Sequence, residues 1–203
     1  YTVENTGESQ DTQDIVLRVN GTEENTTGGV TLSKGASTSD TFTYTAQTGD
    51  APAVKLNVSS ADDTATQTTT VQEPPFFDVT IDDVNATVTE GDDVTVDYTV
   101  ENTGEVQDTQ DIEFQVNGTS EATKSSLTLT GGETTSNTFT YSTTTGDAPA
   151  VKLTVSSAND SVTRNTTVQE PAFFDISIDD INSTVTEGDQ IAVDYTIENT
   201  GGV

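Results

Sequence analysis

The sequence holds no cysteine, histidine, tryptophan or methionine. Without cysteine there are no disulfide staples and no thiol chemistry. Without histidine as well, the Ser-His-Asp and Cys-His arrangements, most zinc sites and haem ligation are excluded. Basic residues are nearly as scarce: 6 against 35 acidic ones, for a formal net charge of −29. Arg18, Lys34, Lys55, Lys124, Lys152 and Arg164 are all of them. They cannot form the basic patch that phosphate contacts need, so nucleic acid is excluded as a partner. An anionic membrane surface would repel the chain too. No apolar run in these residues approaches the length of a membrane span or a signal peptide, so no direct membrane insertion is expected of this segment.

Apolar residues make up only 30% of the 203 positions. Low apolar content with high net charge can mark disorder. Here the apolar residues are not scattered but alternate in short runs, which argues for folded strands. The charge is better read as adaptation to strong salt. At about 1 M salt the Debye length is about 3 Å, so dense carboxylates barely repel one another. The competing reading is an acidic calcium-binding surface protein.

What is present is a repeat, the feature to seek first. "YTVENTGE" stands at Tyr1 and again at Tyr98, and "YTIENTGG" at Tyr195, at intervals of 97 residues. Residues 1–97 align with 98–194 without a gap, and about two-thirds of the pairs are identical. Proline ends ladder pairing and stiffens short linkers, so the unit boundary falls at "VQEPPFF" (Val71–Phe77) and "VQEPAFF" (Val168–Phe174). This predicts a partial unit at 1–73 that lacks its first strands, a complete unit at 76–170, and the first strands of a third at 173–203.

Within the complete unit, apolar positions recur with period two. Phe77, Val79 and Ile81 form one set, and Val94, Val96, Tyr98 and Val100 the next. Ile112, Phe114 and Val116 follow and end at Asn117-Gly118, a strong hairpin signal. Then come Leu127 and Leu129; Phe139 and Tyr141; Val151, Leu153 and Val155; and a last run near Val162 to Val168. Half-buried antiparallel strands give this pattern. Seven or eight of them in one unit predict an all-β fold of tandem immunoglobulin-like β-sandwich repeats. The copies agree with that: Leu17 pairs with Phe114, Val79 with Ile176 and Val94 with Ile191, all inward positions. Val16 against Glu113 and Arg18 against Gln115 drift as outward positions should.

The string "VTEGDDVTVDYTVENTGE" (Val88–Glu105) resembles the bacterial and archaeal surface-adhesion domain called CARDB. The later "VNG", "TLTGGETTSNTFTY" and "VKLTVSS" follow in the same order. With the acidity, the chain is similar to repeats of haloarchaeal cell-surface proteins. The resemblance covers the whole repeat through loose motifs. It implies a sandwich used as spacer, stalk or adhesin at an extracellular location, and it brings no catalytic residues.

Paired carboxylates at Asp82-Asp83 and Asp92-Asp93 recur as Asp179-Asp180 and, in part, as Asp189-Gln190. An active site copied into every repeat is not expected, so the chain is read as no enzyme. No cofactor is required. Calcium, which takes six to eight oxygens, is the one candidate. The turn at Glu90, Asp92 and Asp93, the turn at Asp147, and Glu170 in the linker should share one end of the unit and there meet a junction cation. The plainer reading is solvated acidic loops. Asn-x-Ser/Thr sequons, candidate glycosylation sites on surface loops, stand at Asn20, Asn25, Asn57, Asn85, Asn117, Asn159, Asn165 and Asn182.

The function expected is structural: a repeat of an extracellular filament, stalk or adhesin, giving reach, adhesion or assembly. Its partners would be neighbouring repeats, copies of itself, or other cells and surfaces. The chain would then be a window on a longer periodic array. Two alternatives stay open. One is a subunit of a strand-donation polymer, in which 173–203 of one copy completes 1–73 of the next. The other is a ligand- or glycan-binding adhesin module.

Overall fold

The computed structural model describes residues 1–203, with sixteen strands and no helix. The chain divides into two compact units, Tyr1–Pro74 and Pro75–Val203.

The first unit contains β1 (Thr2–Glu4), β2 (Asp11–Val19), β3 (Thr22–Leu32), β4 (Ser37–Ser39), β5 (Ala53–Ser59) and β6 (Thr64–Thr70). Four of these form one sheet in the order β3-β2-β5-β6, and β1 pairs only with β4. The second unit contains β7 (Phe77–Val84), β8 (Thr87–Thr89), β9 (Asp93–Asn102), β10 (Asp108–Val116), β11 (Thr119–Leu129), β12 (Thr134–Ser142), β13 (Ala150–Ser156) and β14 (Ser161–Gln169). These eight build a two-layer sandwich, one sheet ordered β12-β9-β7 and the other β11-β10-β13-β14-β8. After Pro171 the chain adds β15 (Phe174–Ile181) and β16 (Val193–Asn199), which pair only with each other.

Alternation sets which side chains meet between the sheets. Along β9, Val94, Val96, Tyr98, Val100 and Asn102 point inward while Asp93, Thr95, Asp97 and Glu101 face solvent. They meet Phe77, Val79 and Ile81 of β7 and, across the layer, Ile112, Phe114, Val116, Val151, Leu153 and Val155. Each such side chain fully removed from water contributes about 1.5–3 kcal/mol. Phe139 lies between Tyr98 and Phe114, with ring centroids 4.8 and 5.1 Å apart and planes within 8°.

The turns follow from local chemistry. Asn117 and Gly118 both have positive φ, 50° and 84°, as a two-residue type I′ hairpin requires. Asn20 and Gly21 repeat this at 51° and 90°. The strand expected around Leu127 and Leu129 is the end of an eleven-residue strand that begins straight after this turn, because the hairpin zips its polar half as well.

Two features depart from the sequence pattern. Val88, which the alternating pattern assigned to no strand, lies on β8, which pairs in parallel with β14 through Val88↔Val168. Three residues are too few to show a period. Ile176 and Ile191, aligned with the buried Val79 and Val94, are 64% and 58% exposed. Ile176 stands at an inward position of the β15–β16 hairpin and Ile191 just before β16, and that hairpin has no opposing sheet.

Candidate functional site

The acidic turns at one end of the sandwich are tied together. The Glu90 carboxylate accepts hydrogen bonds from the backbone N–H of Gly146 at 2.9 Å and of Ala148 at 3.3 Å. Glu170, Pro171, Phe173 and Thr200 border the same open hollow of about 440 Å³. Of the five residues expected at a junction cation, Glu90 and Glu170 therefore share a space. The other three serve their own turns and neighbours. Asp92 accepts from the Thr89 N–H at 3.4 Å, and Asp93 from the Ser142 hydroxyl at 2.6 Å. Asp147 accepts from the Thr144 N–H at 2.7 Å, the Thr144 hydroxyl at 3.2 Å and the Tyr141 hydroxyl at 2.9 Å. No three of the carboxylates are grouped as a metal site.

The Tyr141–Asp147 bond closes the turn between β12 and β13. Burial first, and then the hydrogen bond to the Asp147 carboxylate, raise the Tyr141 hydroxyl above the ordinary tyrosine value. The first unit makes the same tie, Tyr44 to Asp50 at 2.9 Å. Tyr98 is affected differently: burial of its ring alone pushes its pKa up to about 12.

At the other end, Asn102 forms a corner that the sequence pattern did not reveal as more than a turn. It is fully buried. Its amide donates to the carbonyls of Val106 at 2.8 Å and Leu129 at 3.1 Å. Its oxygen accepts from the N–H of Phe76 at 3.2 Å and Gly104 at 3.1 Å. One side chain thus fastens the start of β7, the end of β9 and the end of β11. Glu133 completes the corner. Its carbonyl accepts from the Asn102 N–H at 3.0 Å, and its carboxylate takes the Thr130 N–H and hydroxyl, both at 2.8 Å. The backbone bond first, then the hydroxyl, hold Glu133 below the usual carboxylate range. The clue available in the sequence was the unchanged return of Asn-Thr-Gly at Asn5, Asn102 and Asn199.

Seven of the eight sequon asparagines are exposed, and Asn57 is half-buried. Most use the amide oxygen and not the nitrogen. Asn20 accepts from the Lys55 N–H and Asn117 from the Lys152 N–H, each at 2.9 Å. Asn85 accepts from the Thr95 N–H at 2.7 Å, and Asn182 from the Ala192 N–H at 2.6 Å. Asn25 accepts from the Thr26 N–H at 2.8 Å, and Asn159 from the Phe77 N–H at 3.1 Å. Asn57 instead donates through Nδ2 to the Thr66 hydroxyl at 3.4 Å. Nδ2 is the atom a glycan would occupy, so an oxygen-only anchor leaves the turn intact when that atom is modified.

No protein-family model matches the sequence, and no curated protein does. Among solved structures, the chain is similar to the CARDB domain of the PF1109 protein from Pyrococcus furiosus in complex with di-metal ions. That likeness has 18% identity and a TM-score of 0.43, over 49% of this chain and 97% of that domain. It is also similar to a beta-glucosidase from Listeria innocua (14% identity, TM-score 0.41, 46% of this chain and 16% of that one). A third is red sea bream transglutaminase (12% identity, TM-score 0.38, 82% and 28%). Likenesses of this size carry no activity, ligand or partner to the present chain.

Proposed function

We propose that this chain is a structural repeat of an extracellular filament, stalk or adhesin on a cell that lives in strong salt. The observation that carries this reading is what recurs between the copies. The Tyr-Asp tie appears as Tyr44–Asp50 and Tyr141–Asp147, and the Asn corner is centred on Asn5, Asn102 and Asn199. The ring stack appears as Tyr1–Phe42 and Tyr98–Phe139, each at 4.8 Å. In the complete unit these contacts hold the sandwich closed. A chain that repeats its framework gains reach and resistance to extension with each copy. The exposed sequons support an extracellular setting. The net charge of −29 supports a saline one, since such charge keeps a protein soluble but strains the compact state unless screened.

Stretching the whole chain between a surface and a force probe, in molar KCl, tests this. The complete sandwich should rupture in one cooperative step. The step should release about 30 nm of chain, at roughly 3.4 Å per extended residue. Extension without a resolved rupture would overturn the reading.

A further inference from the structure

We infer that Asn85 and Asn117 are the glycan acceptors of the complete sandwich, and that its other two sequons, at Asn159 and Asn165, stay bare. The inference rests on the extracellular reading above, since Asn-x-Ser/Thr is modified on surface loops of secreted chains. It deepens that reading by assigning the sites.

The starting observation is an amide nitrogen that anchors nothing. Asn117 is exposed, at φ 50°, in the turn between β10 and β11. Its backbone N–H donates to the Lys152 carbonyl at 2.8 Å, and its side-chain oxygen accepts from the Lys152 N–H at 2.9 Å. Two bonds to one residue fix the side chain and leave Nδ2 turned from that backbone. Asn85, exposed between β7 and β8, accepts through its oxygen from the Thr95 N–H at 2.7 Å and the Thr95 hydroxyl at 2.9 Å. In neither residue is Nδ2 part of the anchor.

A need for an acceptor oxygen does not explain asparagine at these places. Aspartate offers the same oxygen, suits a two-residue turn as Asp-Gly, and is common in a chain with 35 acidic residues. Where the oxygen alone matters, the copies exchange the two. Asn159 accepts from the Gln110 side-chain amide at 2.7 Å, and its equivalent Asp62 accepts from that of Gln13. At the assigned sites no exchange occurs. Asn20-Gly21-Thr22 matches Asn117-Gly118-Thr119, and Asn182-Ser183-Thr184 matches Asn85-Ala86-Thr87. In the second pair the middle residue changes while Asn and Thr stay, as a sequon requires.

The other two sequons differ in geometry. The Asn159 oxygen also accepts from the Phe77 N–H at 3.1 Å, and its neighbour Asp160 accepts from the Val79 N–H at 3.1 Å. That turn is clamped to the edge of β7. Asn165-Thr166-Thr167 lies inside β14, bonded on both sides. On one side are the β13 pairs Lys152↔Asn165 and Ala150↔Thr167. On the other, the Thr166 hydroxyl donates to the Asn85 carbonyl at 2.8 Å and the Thr167 N–H to the Ala86 carbonyl at 3.1 Å. Asn85-Ala86-Thr87 leads into β8, the margin of the sheet, and has a neighbouring strand on one side only. A transferase reaches a turn or a margin as it stands, but a strand inside a sheet only by parting the ladder.

The reaction joins Nδ2 to the anomeric carbon of a sugar carried as a phosphate ester. The bond from that carbon to nitrogen forms as its bond to the phosphate oxygen breaks. The phosphate leaves with the electron pair, and Nδ2 gives one of its two protons to a base of the transferase. Both anchors survive, because neither uses Nδ2. The two sites lie at one end of the sandwich, on opposite flanks. Asn117 bonds Lys152, two residues from Ala150, whose partner Thr167 bonds Ala86. In sheet order, β11 and β8 are the two margins. Sugars there leave both broad sheet faces bare.

Peptide mapping by mass spectrometry, on the chain purified from the cells that make it, tests the assignment. Peptides holding Asn85 and Asn117 should carry sugar, and those holding Asn159 and Asn165 should not. Thr87→Val and Thr119→Val remove the sequon hydroxyl and leave each asparagine anchored. Made in the same cells, each should lower the intact mass by one glycan, and the double variant by two. Bare Asn85 and Asn117 in the wild type would overturn the inference, as would sugar on all four sequons. Cell fractionation separates this from the wider reading. Bare sites on a chain found outside the cell sink the inference alone, whereas a chain found inside the cell sinks both.

Discussion

Tyr141 donates its hydroxyl to the Asp147 carboxylate at 2.9 Å, and this one bond spans the turn that takes the chain from β12 in one sheet to β13 in the other. A hydrogen bond to a charged group contributes more than a neutral one. Here it acts as a strut between layers. Tyr141→Phe keeps the ring and deletes the strut, while Asp147 keeps the Thr144 N–H. The complete sandwich should lose about 1–2 kcal/mol, read as a melting point lower by about 4–8 °C per kcal/mol. An unchanged melting point would mean that water replaces the bond without loss.

The Asn corner predicts unequal effects at equivalent positions. Asn102 is buried with four partners, and Asn5 is half-buried with three. Asn102→Ala strands buried donors and acceptors at about 1–3 kcal/mol each, and should reduce stability by about 3 kcal/mol or more. Asn5→Ala should do less. Denaturant midpoints of the two variants decide it, and equal losses would show that burial is not the source.

Alkaline pH should weaken the sandwich through Tyr98. Burial favours the neutral phenol, so the folded pKa, about 12, lies above the ordinary value of 10.0. The contribution is therefore complete below pH 10 and is lost as pH rises towards 12. Denaturant midpoints should be level up to pH 10 and then fall, in step with tyrosinate absorbance. Tyr98→Phe should flatten the fall. A fall of undiminished size in that variant would assign it to Tyr141 instead.

Salt should raise the melting point steeply at first and then level off near 1 M, where the Debye length reaches about 3 Å. Arg18–Glu23 and Lys34–Glu8 form ion pairs at the surface of the first unit. With 6 basic residues against 35 acidic ones, most carboxylates have no cation to meet and depend on bulk screening. Sucrose strengthens burial by exclusion but screens nothing. Were sucrose to match KCl at equal melting-point gain per mole, charge repulsion would not be the cause.

Much of the framework was legible because period-two alternation is a local property. Phe77 to Ile81, Val94 to Val100 and Ile112 to Val116 announce buried strand faces by spacing alone, and Asn117-Gly118 announces its turn by backbone preference. Seven of the eight strands of the sandwich follow from such signals. The candidate site was less legible. The sequence placed Glu90, Asp92, Asp93, Asp147 and Glu170 near one another, but carboxylate direction depends on which N–H groups lie within reach. For Glu90 those belong to Gly146 and Ala148, from a distant turn, and for Asp147 to Thr144 of its own turn.

The sequence by itself determined the all-β class, the repeat and the faces of the strands, since each is written in residue spacing. Only the tertiary structure decided which faces find a partner. "TFTYS" at 138–142 is a strand and "TFTYT" at 41–45 is not. Val79 is buried and Ile176, its equivalent, is open. The residues are nearly the same. A strand needs a neighbour to take its N–H and C=O groups and a facing sheet to exclude water, and both come from elsewhere in the chain.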